Sequence, residues 1–330
     1  MRDLTDDVAL MRPVIDALRA SGNDPERVLA RLGLPPGGLP AGRFPHAAQA
    51  MFWKAAIEEC GEEHVGLFLA QHLPAFHGLL LEYLFLSSET FGEGLRHALR
   101  YVRLLSDTLN ARFEVHGERA VLSLGLGPGT PRHFPEMLAG AVIHLFDALT
   151  EGDFRPHEVQ LMHEVGAPAE RYRQVYGCPA LLGSAGYALV FNAAVLDKAS
   201  RHAAPELLRI HESLARRQLA EVERLDLVRK VRELIGELLV DSGATLEQVA
   251  ARLNMPARRL RERLAMAGVR FNDLVTDYRC RLAKNLLLNT DERIEVIVER
   301  TGFSEPSTFY RAFKRWVGET PVEFRKRGKV

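Results

Sequence analysis

The sequence predicts an α+β N-terminal domain, with helices and a small antiparallel or mixed sheet, followed by an all-α C-terminal domain with two helix-turn-helix units joined by a long helix. Three observations support this fold class. Apolar residues recur at helical spacing along most of the chain. The spacing changes to strict alternation only in short stretches between residues 113 and 191. A plan of short helix, tight turn and second helix occurs twice after residue 245, about 48 residues apart.

Length and composition fit an ordinary two-domain globular protein. The chain has 330 residues, of which 47% are hydrophobic and 26% are charged, so it can bury more than one core. We expect a domain of residues 1–220 for effector sensing or oligomerisation, and a second domain of residues 221–330. No run of about 18 apolar residues predicts a membrane span, and three scattered cysteines do not suggest a disulfide framework. A cytoplasmic protein is therefore expected.

The balanced net charge conceals an asymmetry between the two ends. Residues 241–330 contain 18 Lys and Arg against 12 Asp and Glu, so they have a net charge of +6, and the rest of the chain has −6. A basic segment is a candidate for contact with phosphate.

Helical and alternating patterns divide the N-terminal domain into elements. Ser88 is the expected N-cap of the helix that begins at Phe91 and runs to Leu109. The predicted helices cover residues 46–60 (ended by Gly61), 91–109, 135–151 and 192–200, and the predicted strands cover a hairpin in 113–126, then 158–163 and 187–191. The glycines of residues 125–129 are expected to form a loop, because prolines obstruct a following helix.

A broken apolar stripe follows from Pro205 to about Val240. Because Arg216 and Arg217 interrupt it, we expect two helices here. The stripe packs on its own domain or, alternatively, forms a dimer interface.

The repeated plan of the C-terminal domain predicts one unit over about residues 245–266 and another over about 294–317. Thr245 and Gln248 form a capping box at the start of the first unit, and Ser304 is the expected N-cap in the second. The connecting helix over about 271–288 is roughly 27 Å long at 1.5 Å per residue. Since successive major grooves on one face of DNA are about 34 Å apart, such a helix could place the two second helices in neighbouring grooves.

The sequence Gly302-Phe-Ser-Glu-Pro-Ser-Thr-Phe-Tyr-Arg-Ala-Phe-Lys-Arg-Trp-Val-Gly-Glu-Thr-Pro321, followed by Phe324-Arg325, resembles the signature of AraC/XylS-type transcriptional regulators. The resemblance covers about 100 residues, from near Leu225 to the end. Residues 76–95, 172–177 and 189–191 resemble the "arabinose-binding" N-terminal domain of one branch of that family. The resemblance implies a sequence-specific, homodimeric regulator, in most relatives an activator that contacts RNA polymerase. It further implies promoter DNA and a small effector of unknown identity as partners, with neither an enzymatic activity nor a cofactor.

By motif position the resemblance also implies which side chains meet DNA. The base-reading candidates are Arg258, Arg261, Glu262, Pro306, Ser307, Thr308, Tyr310 and Arg311. The phosphate candidates are Arg259, Arg263, Lys314, Arg315, Arg325 and Lys326. Three features depart from the family pattern: Glu262 replaces an arginine, Pro256 replaces a serine N-cap, and Arg293 with Val296 replaces a capping box.

Two other functions remain open from the residues alone. The N-terminal domain could serve only as an oligomerisation module without an effector, or it could be an enzyme fused to a DNA-binding module. The sequence contains no HExxH, CxxC or nucleophile-elbow motif, so neither catalytic nor metal-binding residues are predicted, and the effector-binding residues are not identified. Cys60 and Cys178 could sense redox state. The aromatic residues Phe52, Trp53, Tyr83, Phe85 and Phe146 are expected in the core.

Overall fold

The computed structural model describes residues 4–35, 42–127, 129–239 and 244–328. The chain divides into two compact units, Met1–Leu219 and Ala220–Val330. The first unit combines helices with sheets and the second contains helices, which confirms the predicted fold class. In the predicted loop of residues 125–129, Pro128 lies outside the described residues.

Helices dominate the first unit and surround one larger sheet. Its helices are α1 (Arg12–Ala20), α2 (Pro25–Arg31), α3 (Ala48–Cys60), α4 (Val65–Ala70), α5 (Leu80–Leu86), α6 (Phe91–Arg100), α7 (His133–Leu149) and α8 (Ala169–Tyr176), with 3-10 turns at Val8–Leu10, Val102–Leu104 and Ala193–Asp197. Its strands are β1 (Thr5–Asp7), β2 (Arg43–Pro45), β3 (Asn110–His116), β4 (Arg119–Gly125), β5 (Pro156–Gln160), β6 (Ala180–Leu181) and β7 (Tyr187–Asn192).

Helix α9 (Pro205–Leu239) contains the boundary between the units. The second unit continues with α10 (Leu246–Arg252), α11 (Ala257–Met266), α12 (Phe271–Asn289), α13 (Ile294–Arg300), α14 (Pro306–Val317) and α15 (Pro321–Gly328).

The larger sheet has the strand order β3-β4-β7-β5-β6. Its pairs are antiparallel, except that β5 and β6 are parallel. The predicted hairpin is present as β3 and β4, and its register places Phe113 opposite Leu122, which in turn lies opposite Leu189 of β7. Because side chains alternate between faces, these apolar residues lie on one face and join the core against the helices.

An aromatic cluster fills the centre of this core. The ring of Phe91 lies 4.9 Å from that of Phe85 and 5.0 Å from that of Phe146, and Phe154 lies 5.3 Å from both Phe146 and Phe191. Phe52 and Trp53 are buried in a second cluster formed mainly by helices α1 to α4. The prediction for Tyr83 was wrong, because its side chain lies on the outer face of α5 and is 46% exposed.

Both ends of α6 differ from prediction. Thr90, not Ser88, caps α6 by accepting a hydrogen bond from the Glu93 amide, while the Ser88 hydroxyl donates to the Leu84 carbonyl at the end of α5. Helix α6 also ends at Arg100, and the chain turns through Val102–Leu104 into β3. The helix expected at 192–200 is a 3-10 turn at Ala193–Asp197.

Helix α9 is continuous over 35 residues, so the expectation of two helices was wrong. Arginine is a good helix former, and the segment contains no proline after Pro205, so the Arg216-Arg217 pair interrupts only the apolar stripe.

Helix α12 contributes to both cores of the second unit. Leu274 packs in the cluster around α10 and α11, and Leu286 and Leu287 pack in the cluster around α13 and α14. Near the N-terminal end of α12, the Tyr278 ring approaches Gly236 of α9 so closely that a Cβ there would lie 2.7 Å from its hydroxyl oxygen. One rigid helix therefore supports both helix-turn-helix units.

Candidate DNA-binding surface and effector cavity

The turns of the two helix-turn-helix units use the same backbone conformation. Asn254 follows α10 with φ 52° and Gly302 follows α13 with φ 74°. Asparagine and glycine are the residues that adopt left-handed conformations most readily at a helix C-terminus. The Thr245–Gln248 capping box is present at the start of α10.

The N-cap of α14 differs from prediction. Glu305 occupies the cap position, and Pro306 is the first helical residue. A residue before proline is kept out of the helical region, and Glu305 accordingly has φ −135° and ψ 135°. Ser304 is thereby moved one residue away from the cap.

Helix α14 presents a polar face opposite its buried residues. Phe309 and Phe313 are fully buried, whereas Ser307, Arg311 and Lys314 share one exposed row at spacings of four and three residues. The candidates Pro306, Thr308 and Arg315 are exposed as well. Tyr310 is half-buried, with its ring 6.2 Å from that of Phe309.

Helix α11 has a similar polar face with one added ion pair. Leu260 and Leu264 are buried, and Arg258, Arg259, Arg261 and Glu262 are exposed. The Arg258 Nε lies 2.9 Å from Glu262 Oε1, so the carboxylate that departs from the family pattern holds the neighbouring arginine. Pro256 occupies the N-cap position of α11, and no side chain of the described residues caps this helix.

The predicted phosphate contacts differ in accessibility. Lys314, Arg315, Arg259 and Lys326 are exposed, but Arg263 and Arg325 are half-buried. The Arg325 Nε donates to the Leu287 carbonyl at 3.3 Å. Part of its hydrogen-bonding capacity is therefore used to hold α15 against α12.

One structural arginine was missed by sequence reasoning. Arg279 of α12 donates from Nη2 to the Gly302 carbonyl at 3.1 Å, and its guanidinium lies 4.9 Å from the centre of the Phe303 ring. Burial lowers the pKa of Arg279. The residue anchors the turn before α14, and only the packing of α12 against that turn reveals it.

An apolar cavity of about 150 Å³ lies within the first unit. Helices α5, α6 and α7 and strands β3 and β4 contribute to its walls, which include Leu81, Leu99, Leu124 and Val142. Its polar lining residues are His77 and Glu82. No sequence pattern indicates this cavity, because its walls come from segments far apart in the chain.

His77 and Glu82 form a buried pair at the cavity wall. The Glu82 carboxylate accepts from His77 Nδ1 at 2.6 Å and from the backbone amides of His77 and Leu79 at 2.9 and 3.1 Å. Both side chains are at most 5% exposed. Within the described part of the chain, the other ring nitrogen, His77 Nε2, is buried without a hydrogen-bond partner.

Neither cysteine has the environment of a reactive thiol. Burial, aided by neighbouring carboxylates, raises the pKa of Cys60 and that of Cys178 to about 11. Since the thiolate is the reactive form, redox sensing at these positions is disfavoured.

The described residues contain neither a candidate metal site nor a membrane-spanning helix. No group of three or more His, Cys, Asp or Glu side chains in this part of the chain could hold a metal ion. Within the same residues, no helix combines the length and apolarity needed to cross a bilayer.

Two domain families match the chain. Residues 22–200 match the family described as the arabinose-binding domain of AraC transcription regulator, N-term, and residues 233–327 match a helix-turn-helix domain. These matches correspond to the two units of the fold.

Similar proteins match along most of their length. The ornithine utilization regulator of Pseudomonas aeruginosa is 29% identical over 274 residues, which cover 81% of this chain and 80% of that protein. The HTH-type transcriptional regulator VqsM of the same organism is 26% identical over 291 residues, covering 83% and 86%. The crystal structure of the transcriptional regulator CdpR from P. aeruginosa covers 91% of this chain and 96% of that one, with 22% identity and a TM-score of 0.45. The two relatives and the matched domains are transcriptional regulators or parts of them, and not enzymes.

Proposed function

Because the chain belongs to the AraC family of DNA-binding transcriptional regulators, we propose that it is an activator that couples effector binding in the first unit to promoter recognition by the second. The observation that carries the proposal is the pair of exposed polar faces on α11 and α14, supported by cores that share α12. An effector that binds one conformation more tightly than another shifts the population of DNA-competent protein.

Selection of random DNA duplexes by the full-length protein, followed by salt titration of the binding, tests DNA recognition. An enriched site with two major-groove segments, and affinity that falls steeply with salt, is the expected result. Transcription in vitro from a selected site, with purified RNA polymerase, then distinguishes an activator from a repressor. A lack of both enrichment and salt dependence would contradict the proposal.

Arg311→Ala is expected to weaken binding to the selected site by about 1–3 kcal/mol, or about 5- to 150-fold, and to relax the preference for one base. Arg311 lies at the centre of the exposed row of α14. Lys314→Ala is the matched control in the same row. It should weaken binding to all DNA sequences alike, and it should reduce the slope of log affinity against log salt concentration by about one. A uniform loss in Arg311→Ala would instead make Arg311 a phosphate contact.

Glu262→Arg is expected to strengthen non-specific DNA binding, with a salt slope steeper by about one. The substitution removes a carboxylate that repels phosphate and also frees Arg258 from its ion pair. Glu262→Gln is the control, since it removes the charge without adding a cation and should cause a smaller gain. Unchanged binding in Glu262→Arg would mean that α11 does not dock on DNA.

Dimerisation through the N-terminal part of α9 forms part of the proposal. Leu207 and Ile210 lie one turn apart and are 50% and 61% exposed, an arrangement that a second copy of the helix could cover. Sedimentation of the full-length protein measures this association.

The apolar cavity is the proposed effector site of the first unit. Ornithine, named for one relative, does not suit it, because a free amino acid is charged and the Glu82 carboxylate already accepts three hydrogen bonds from the protein. Burial of an unpaired charge is costly. The effector of this chain is therefore proposed to be largely apolar.

A further inference from the structure

We infer that the cavity binds a neutral hydroxyl compound of about the size of phenol, whose hydroxyl group forms a hydrogen bond with His77 Nε2. The inference rests on the proposed function, since it specifies the effector class of the same cavity. The cavity volume, the chemistry of the cavity walls and the buried Nε2 atom of His77 each support it.

The volume sets the size of the ligand. An apolar cavity of about 150 Å³ holds a molecule of about the size of benzene, and the cavity here has about that volume. Apart from the two polar residues, its walls are leucine, valine, alanine, phenylalanine, methionine and proline side chains. A six-membered ring or a short alkyl chain therefore matches it in both size and polarity.

The hydrogen bonds of Glu82 determine which nitrogen of His77 is available to a ligand. A carboxylate only accepts hydrogen bonds, so His77 Nδ1 carries the proton directed at Glu82 Oε1. Nε2 is then an acceptor in the neutral ring and a donor in the charged ring. It has no partner among the residues that the structure describes, and an unsatisfied buried polar atom is unfavourable. A ligand hydroxyl would satisfy this atom.

Charge argues against an anionic ligand. A carboxylate in the cavity would lie beside a histidine already paired with the Glu82 charge, and the other lining side chains are apolar. The neighbouring His144 supplies no compensating charge, because burial and, more weakly, His77 lower its pKa, although Asp147 opposes this shift. A buried negative charge without a cation is strongly disfavoured.

Binding of phenol, toluene and benzoate to the full-length protein, by calorimetry and thermal shift, tests the inference. Phenol and toluene have nearly the same shape and differ in the hydroxyl group. We expect phenol to bind about 2- to 12-fold more tightly than toluene, benzoate to bind far more weakly than either, and 1-hexanol to behave like phenol. Equal binding of phenol and toluene, or tighter binding of benzoate, would overturn the inference.

Two variants locate the ligand. His77→Phe retains an aromatic ring but removes Nε2, so phenol should lose its advantage over toluene. Ala141→Leu fills the cavity and should abolish binding of both compounds, whereas Ala194→Leu, at an exposed site in the 3-10 turn, is the control that should not. If His77→Phe fails to fold, the wild-type comparison and Ala141→Leu still decide the result.

The affinity for the selected DNA site, measured in the same samples, separates this inference from the proposed function. If phenol binds as expected but leaves DNA affinity unchanged, the ligand site stands and effector coupling fails. If no compound binds while sequence-specific DNA binding is normal, the inference is wrong and the DNA-binding function stands.

Discussion

Phe313→Ala should destabilise the second unit by about 3–5 kcal/mol and severely weaken DNA binding. The Phe313 side chain is fully buried, and its ring lies 5.8 Å from that of Phe309 and 5.5 Å from that of Phe324. Its removal leaves a cavity where α12, α13, α14 and α15 meet. Because a domain of this size is stable by only about 5–15 kcal/mol, such a loss leaves little to hold α14 in place.

Hydrogen exchange in full-length protein localises this effect. Peptides from residues 271–328 should exchange faster in Phe313→Ala, while peptides from the sheet of the first unit should keep their protection. Val322→Ala is the control in the same unit, since Val322 is 40% exposed and its loss should cost less than about 0.5 kcal/mol. Wild-type protection in residues 271–328 of Phe313→Ala would contradict the packing described here.

Periodicity and turn chemistry predicted the second unit well, because its helices are short and residues close in sequence end them. Helix α11 ends at Met266, where the first helix-turn-helix unit was predicted to end; Pro256 precedes its first residue and Gly268 follows shortly after its last. The inward positions of α14 also follow from the spacing of Phe309 and Phe313. These features depend on residues close together in sequence, which a pattern can detect.

Where two residues close in sequence could both cap a helix, the sequence pattern did not predict which of them does so. Ser88 and Ser304 are both good cap types, but Thr90 and Glu305 occupy the cap positions. In the second case Pro306 decides the backbone conformation. In the first, the end of the preceding helix α5 already engages Ser88.

The orientation of the DNA-binding candidates could be predicted only in part. Repeat and motif identified the exposed rows of α11 and α14, but not the ion pair between Arg258 and Glu262 or the engagement of Arg325 by the Leu287 carbonyl. The cavity and His77 Nε2 were beyond prediction, because helices and strands separated by many residues must pack before an unfilled volume exists.

The buried cluster around Glu136 also depends on tertiary packing. The Glu136 side chain is fully buried, and its Oε1 accepts from the Tyr172 hydroxyl at 2.7 Å and lies 3.1 Å from His163 Nε2. Arg132 Nη1 lies 3.5 Å from the same oxygen, and His133 Nδ1 lies 3.7 Å from Oε2. Burial and the Glu136 charge raise the pKa of Tyr172, so its hydroxyl remains a donor.

Glu136→Gln is expected to lower the free energy of unfolding at pH 7 by about 3 kcal/mol. Burial alone would raise the pKa of Glu136, but its contacts with His133, His163 and Tyr172 outweigh burial and lower the pKa from 4.5 to about 2. A carboxylate whose pKa is lower in the folded state stabilises the protein fully above its unfolded pKa, and this contribution is lost as the pH falls through the folded value. The stability difference between wild type and Glu136→Gln should therefore shrink as the pH falls from 4.5 to 2.

Urea unfolding at a series of pH values measures this difference directly. Other carboxylates titrate in the same range, but they are common to both proteins and cancel in the comparison. Glu114→Gln is the matched control, because the Glu114 side chain is 64% exposed and its loss should change stability by less than about 0.5 kcal/mol at every pH. Tyr172→Phe removes one donor and should move the acid-sensitive range to higher pH, because the remaining contacts stabilise the carboxylate less. A stability difference for Glu136→Gln that stays constant down to pH 3 would mean that Glu136 is not held ionised by these partners, and that the cluster acts through packing alone.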